Sequence, residues 1–276
     1  MGATMSGRLG AVNAVDTVKM WQVSEKSTPA EYKASNTDGG TGRAEGNTDW
    51  SGSFQLYGHT PPVWPGDAFA FAGSIDGAVG CSGYAIVDSF DLVIDVEGAK
   101  IDSETINFSG NGALTKGVQV VTDVVVPNPP SGFYGGVSLA DAVGGTFAPV
   151  SDVRQITLRV QAQNPAYVDS STSGQTMRKP GNIDCTASFG VYLLDDFTNI
   201  FAVNTLKVIQ IAVTASTYWE IAWVIFHEAS GIEANMEAVN IVSATNNASW
   251  TGFSAGVKGY IKDPAGIYRW GAAPTP

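Results

Sequence analysis

Gly46–Tyr57 reads GNTDWSGSFQLY, and Gly181–Tyr192 reads GNIDCTASFGVY. Gly46 and Gly181, Asn47 and Asn182, Asp49 and Asp184, Phe54 and Phe189, and Tyr57 and Tyr192 coincide. Carried backwards at the same spacing without a gap, the match continues through Tyr32 and Tyr167, Thr41 and Thr176, and Arg43 and Arg178. Internal similarity of this kind fixes architecture before any local signal does. It predicts two versions of one domain, over residues 1–120 and 151–276. Between them, 121–150 opens on VTDVVVPNPPSGFYGG, a Pro- and Gly-rich stretch with the chemistry of a linker.

With 276 residues, 44% of them hydrophobic, the chain is long enough for two ordinary cores. Its apolar runs are short, rich in Val, Ile and aromatic residues, and broken by Gly and Pro, which reads as a mainly β fold with few short helices. Residues 24–49 and 163–184 read as polar loops, and residues 195–205 as one short helix. No run is long enough to cross a bilayer, and the first residues do not read as a signal peptide. Met1-Gly2 with Ser6 fits a myristoylation pattern, but a flexible start explains it as well. Cys81 and Cys185 fall at non-equivalent places and suggest neither a disulfide framework nor a metal cluster. Asn107-Phe108-Ser109 and Asn247-Ala248-Ser249 match a glycosylation pattern that carries no meaning without a secretory signal.

The formal charge of −11 argues against a protein that grips nucleic acid, since grip comes from Lys and Arg against phosphate. It leaves room for a protein that nucleic acid slides past. In FDLVIDVE, Asp91, Asp95 and Glu97 share one strand face, with Phe90, Leu92 and Ile94 on the other. Glu233 and Glu237 share a face of IEANMEAV in the same way. Each set is either a solvated face or a functional acidic lining. Two histidines in unrelated settings, His59 and His227, make no triad or metal site, and no catalytic set or cofactor motif stands out. Asp49 and Asp184 read as turn caps. Arg43 and Arg178 are placed to tie their loop to a carboxylate or to a neighbouring subunit. Trp21, Trp64, Trp219, Trp223 and Trp250 would serve a carbohydrate-binding surface if exposed, but their strand positions favour core or subunit contacts.

The repeated phrase and its surroundings resemble the major tail tube proteins of tailed bacteriophages. GRLGAVNAVDTVKMWQVSE leads to a Trp-bearing strand, then come GNTDWSGS, VDSFDLVIDVEG and the closing INFSGNGAL. The second half keeps Arg178 and Gly181-Asn182-x-Asp184 but has Cys185 where the first has Trp50. The resemblance implies two tandem antiparallel β-sandwich domains whose sheets join those of neighbours. Three fused chains would then make a pseudo-sixfold ring, and rings would stack into a tube. The partners implied are other copies of the chain, other virion proteins, and genomic DNA passing through without specific binding. The location implied is the virion tail, after assembly in the host cytoplasm, with no membrane, cofactor or enzymatic activity. Asp91, Asp95, Glu97, Glu233 and Glu237 are the candidates for an acidic lumen. A capsid decoration or neck protein on the same duplicated fold is the alternative.

Overall fold

The computed structural model describes residues 4–7, 18–35, 38, 40–75, 79–118, 131–193, 203–234, 242–251, 253–254 and 257–271. The fold is mainly β, with a 3-10 turn at Gly132–Tyr134. The first half contributes β1 (Thr4–Gly7), β2 (Val18–Tyr32), β3 (Gly42–Tyr57), β4 (Ala68–Ile75), β5 (Val79–Asp95), β6 (Ser103–Gly110) and β7 (Thr115–Val118). After these come β8 (Gly136–Ala140), β9 (Ala148–Val150), β10 (Val153–Ala162), β11 (Ala166–Tyr167), β12 (Met177–Arg178) and β13 (Ile183–Leu193). The chain continues through β14 (Thr205–Ala212), β15 (Tyr218–Ala234) and β16 (Val242–Trp250). It closes with the short strands β17 (Phe253–Ser254), β18 (Val257–Lys258), β19 (Ile261–Lys262) and β20 (Tyr268–Trp270).

Sixteen of these strands form one antiparallel sheet, and its order carries the main result: β2-β3-β6-β5 is followed directly by β10-β13-β16-β15. Each run has the same chain order, and the register matches as well. Trp21 lies opposite Phe54 and Lys26 opposite Asp49; at the spacing of the repeated phrase, Ile156 lies opposite Phe189 and Gln161 opposite Asp184. Ser53 faces Asn107 as Ser188 faces Asn247. A bulge falls between Val87 and Ser89 where β5 meets β6, and between Phe226 and Glu228 where β15 meets β16. Bulges re-aim a strand at one defined place, so the match extends to irregular geometry. β4 lies on β5 as β14 lies on β15.

Alternation along the strands builds the core as the sequence predicts. Trp21 and Val23 are buried while Gln22 and Ser24 are exposed, and Phe90, Leu92 and Ile94 are fully buried between part-exposed Asp91, Val93 and Asp95. Rings of β4 meet rings of β2, β3 and β6 across the core: Phe71 lies 4.8 Å from Phe108 and 6.0 Å from Trp21, and Phe69 lies 6.4 Å from Phe54. The first stretch of β15, Trp219–Val224, is buried at both parities, since Tyr260 and Tyr268 cover its second face. Buried side chains of both halves form one continuous cluster.

Three expectations need correction. Residues 131–150 are not linker, because β8 pairs with β14 and β9 with β8, which extends the sheet beyond the second half. Residues 119–130 lie outside the described residues. The polar stretch 24–49 is not a loop. β2 and β3 run on as a hairpin to Tyr32 and Gly42, held by backbone pairing although almost nothing beyond Glu25 on β2 is buried. Its counterpart, 163–184, is the predicted loop, pinned by the small β11–β12 ladder. Finally, Tyr218–Ala234 is one strand with two internal irregularities rather than two strands. The helix expected over 195–205 lies largely outside the described residues.

Candidate functional site: the joint between the halves

The two runs of strands meet where β5 of the first pairs with β10 of the second, Ser89 opposite Gln161 through Asp95 opposite Gln155. Asp91 faces Arg159 directly, with Oδ1 3.4 Å from Nε. Burial pushes the Asp91 carboxyl up, and Arg159 opposes that shift. At the end of the ladder the Glu97 carboxylate lies 3.4 Å from Arg154 and accepts from the Tyr192 hydroxyl at 2.5 Å. That hydrogen bond raises the Tyr192 pKa. Asp95 is 2.7 Å from Lys100 and accepts the Gly98 N–H, and these contacts hold its carboxyl low. Three of the five acidic residues expected to line a lumen are therefore each paired with a cation. Glu233 lies on β15 with its backbone opposite Ser243. Glu237 lies outside the described residues.

The second component of the joint is the loop before the repeated phrase. In the second half it folds across onto the first. Thr48 N–H donates to Gly174 O at 2.9 Å and Thr176 N–H donates back to Thr48 O at 3.0 Å. Arg178 then grips Asp49 with both ends of its guanidinium, at 2.9 and 2.8 Å, and also donates to Gly110 O. Their side chains are only 10% and 22% exposed. A bidentate arginine–carboxylate pair in such a setting fixes geometry as well as adding energy. Asp49 is thus no turn cap, and neither is Asp184, which lies within β13 opposite Gln161 and accepts the N–H of the adjacent Cys185 at 2.8 Å. Arg43 makes an exposed pair with Glu31 on its own hairpin.

The other repeated residues have structural explanations. A Cβ on Gly46 would lie 1.7 Å from Thr28 O, and one on Gly181 1.4 Å from Gln163 O, so only glycine lets the strands close there. Asn47 lies opposite Thr28, and Asn182 O accepts from Gln163 N–H at 2.9 Å, which is the same pairing in each copy. Phe54 and Phe189 are both 1% exposed. Lys19 sits over the Tyr57 ring as Arg154 sits over Tyr192.

One set of residues escaped the sequence reading. Asn107 Nδ2 donates to Ser89 Oγ and Asp91 Oδ2, at 2.9 and 3.3 Å. Asn247 Nδ2 donates to Glu228 Oε2 and Ser230 Oγ, at 3.1 and 3.4 Å. The paired Asn-x-Ser triplets are thus equivalent cross-strand brackets over the two bulges, and their recurrence in both halves was the available signal. Aromatic contact completes the joint: Trp64 stacks on Trp219 at 6.0 Å, and Trp219 Nε1–H donates to His59 O at 2.9 Å. Trp21, Trp64, Trp219 and Trp223 are all buried, so they offer no platform for a sugar.

Among the described residues, no group of three His, Cys, Asp or Glu side chains could hold a metal ion, and no helix is long and apolar enough to cross a membrane. The arrangement pairs one β unit with the next, edge to edge, and clamps the pair with an ion-paired loop. No model of a protein family matches this chain, and no curated protein matches it.

Proposed function

We propose that the chain is a virion structural protein, the tail tube subunit of a tailed bacteriophage. In this reading its two halves are fused copies of one tube domain. Three chains close a pseudo-hexameric ring, and rings stack into a tube that conducts DNA. The observation that carries the reading is the joint. Two units of equal strand order and register meet head to tail, so the contact that links them is one that further units can repeat. Head-to-tail contacts generate rings when the rotation closes. A closed ring also removes the sheet edges that otherwise invite aggregation.

The charge fits the same role. A net charge of −11 disfavours a grip on duplex DNA. The outward face of β5, with Asp91 and Asp95 and then Glu97 beyond it, is our candidate for the lumen side, together with Glu233 and Glu237. With Arg159, Lys100 and Arg154 paired to the first three, that face is close to electrically balanced rather than bare acid.

Negative-stain electron microscopy of the purified protein, with light scattering for mass, tests the reading. Tubes, or rings of three chains around a central hole, support it. A monomer or compact trimer that coats added capsids instead moves the assignment to a capsid decoration or neck protein on the same fold.

A further inference from the structure

We propose that the joint between the halves is repeated between chains. The Glu228–Ala234 end of β15 in one copy pairs with β2 of a second copy, in the place that β1 holds in the isolated chain. The second copy's Arg43 then takes Asp184 of the first. This inference rests on the ring reading and gives that ring its contacts.

The two edges involved are identified by comparison with the joint already present. Along one edge β5 carries β4 on Val79–Ile86 and then β10 on Ser89–Asp95. Along the matching edge β15 carries β14 on Tyr218–Phe226, and among the described residues Glu228–Ala234 then has no strand beside it. The length left open corresponds to the length that β10 occupies on β5. On the other side, the stretch of β10 that faces β5, Gln155–Gln161, corresponds to Met20–Lys26 of β2. Within it Trp21–Ser24 pairs with the four residues of β1, Gly7 through Thr4. β1 therefore stands on β2 where β5 stands on β10. An uncovered strand edge is a template for another chain, and β1 keeps this one occupied until such a chain arrives.

Transferring the register gives definite contacts. Ser89 opposite Gln161, Phe90 opposite Val160 and Asp91 opposite Arg159 become Glu228 opposite Lys26, Ala229 opposite Glu25 and Ser230 opposite Ser24. Glu228 and Lys26 are both exposed and of opposite charge. The between-chain joint thus keeps one directly opposed ion pair, moved two residues along from the Asp91–Arg159 position. The clamp transfers too. Arg178 of the second half reaches back to Asp49 of the first. The counterpart contact has Arg43 of the incoming chain reaching Asp184, which among the described residues has no cation beside it. Arg43 is available for this, since its pairing with Glu31 is more than half exposed on both sides.

Two cysteine pairs test the proposal. In the first, Ser24→Cys with Ser230→Cys, mild oxidation of the assembled protein is expected to give two- and three-chain covalent species. Either substitution alone gives none, and a thiol reverses the link. The native thiols do not interfere, because both are buried and burial pushes Cys81 up to about 11 and Cys185 higher. In the second pair, Thr4→Cys with Ser24→Cys, oxidation staples β1 to β2 at two residues that lie opposite each other. The stapled chain is expected to remain unassembled, and reduction to restore assembly. Assemblies that form but do not cross-link through 24 and 230, or that form with the staple closed, overturn this joint and leave the tube reading standing. A wild-type chain that stays a monomer under all conditions overturns both.

Discussion

The loop before the repeated phrase lies down in the second half and stands up in the first. Between Tyr167 and Arg178 it folds against the neighbouring unit, whereas Tyr32 and Arg43 belong to a two-stranded arm. The residues that start and end the two segments are the same, Tyr, Thr and Arg at equal spacing. The shared residues therefore do not by themselves choose between the conformations. What differs is the neighbour: the second loop bonds Thr48, Asp49 and Asn111 of the first half, whereas Arg43 of the first loop bonds Glu31 on its own hairpin. In the proposed joint this segment takes its shape from the unit it docks on, and the exposed arm is the same device before docking.

The halves also differ inside, and the largest predicted effect lies there. Val87 faces Phe108 in the first half, while Phe226 faces Ala248 at the same place in the second. The aromatic ring has crossed to the opposite strand while the pair keeps a large and a small member. Phe108→Ala removes a buried ring packed on Phe71 and Phe69 and is expected to cost about 3–5 kcal/mol in urea unfolding. Adding Val87→Phe recreates the arrangement of the second half and should recover roughly 1 kcal/mol or more of that loss. Strictly additive losses would show that the exchange is not compensatory.

A pH effect confined to the first half comes next. Asp102 and Glu104 are buried at 0% exposure, with carboxyl oxygens that have no hydrogen-bond partner, where the second half has Val242 and Ala244. Burial raises Asp102 to about 7, and burial with the nearby Asp102 charge raises Glu104 to about 8. Both folded values exceed the unfolded ones, so the folded chain holds more protons across this window. Stability is therefore full below pH 4 to 5 as far as these groups are concerned, and falls as pH rises through 7 and 8. Glu104→Gln is expected to stabilise the protein at pH 8 by roughly 1–3 kcal/mol and to flatten the slope of stability against pH. An unchanged slope would contradict the assignment.

The two arginines give the sharpest contrast in one experiment. Arg178→Ala leaves Asp49 and Gly110 O without their donor in a mostly buried place, and is expected to cost roughly 2–3 kcal/mol. Arg43→Ala removes an exposed pair and should change the stability of the isolated chain by less than about 0.5 kcal/mol. The same Arg43→Ala change is expected to abolish or strongly slow assembly, seen as loss of the high-mass species in light scattering. Equal stability losses for the two variants would break the comparison.

Much of this was legible in the sequence, and the reasons for the rest are physical. The alternation of Trp21 and Val23, and of Phe90, Leu92 and Ile94, is a local signal and identifies buried faces directly. The repeated phrase survives because Gly46 and Gly181 admit no side chain and because Phe54 and Phe189 fill equivalent core places. Outside it the repeat is hidden by exchanges such as Phe108 for Ala248, and by an extra residue between Ser230 and Glu233. The arm was misread because polar residues carry no burial signal, although backbone pairing alone extends the hairpin. The partner of Arg178 lies on the other side of a joint between distant strands, and no spacing in the chain announces it. The two joints are also not identical: Asn164 donates to Val87 O and Asp88 at the joint within the chain, and Pro29 stands at its counterpart without a side-chain donor.

The most direct test of the central claim is an electron cryo-microscopy map of the assembled protein at side-chain resolution. The account predicts three chains per ring and six near-equivalent units. Between chains, β15 should pair with β2, β1 should be gone from that edge, and Arg43 should lie within hydrogen-bonding distance of the neighbour's Asp184. A map in which β1 remains on β2 and chains meet through other surfaces would contradict it.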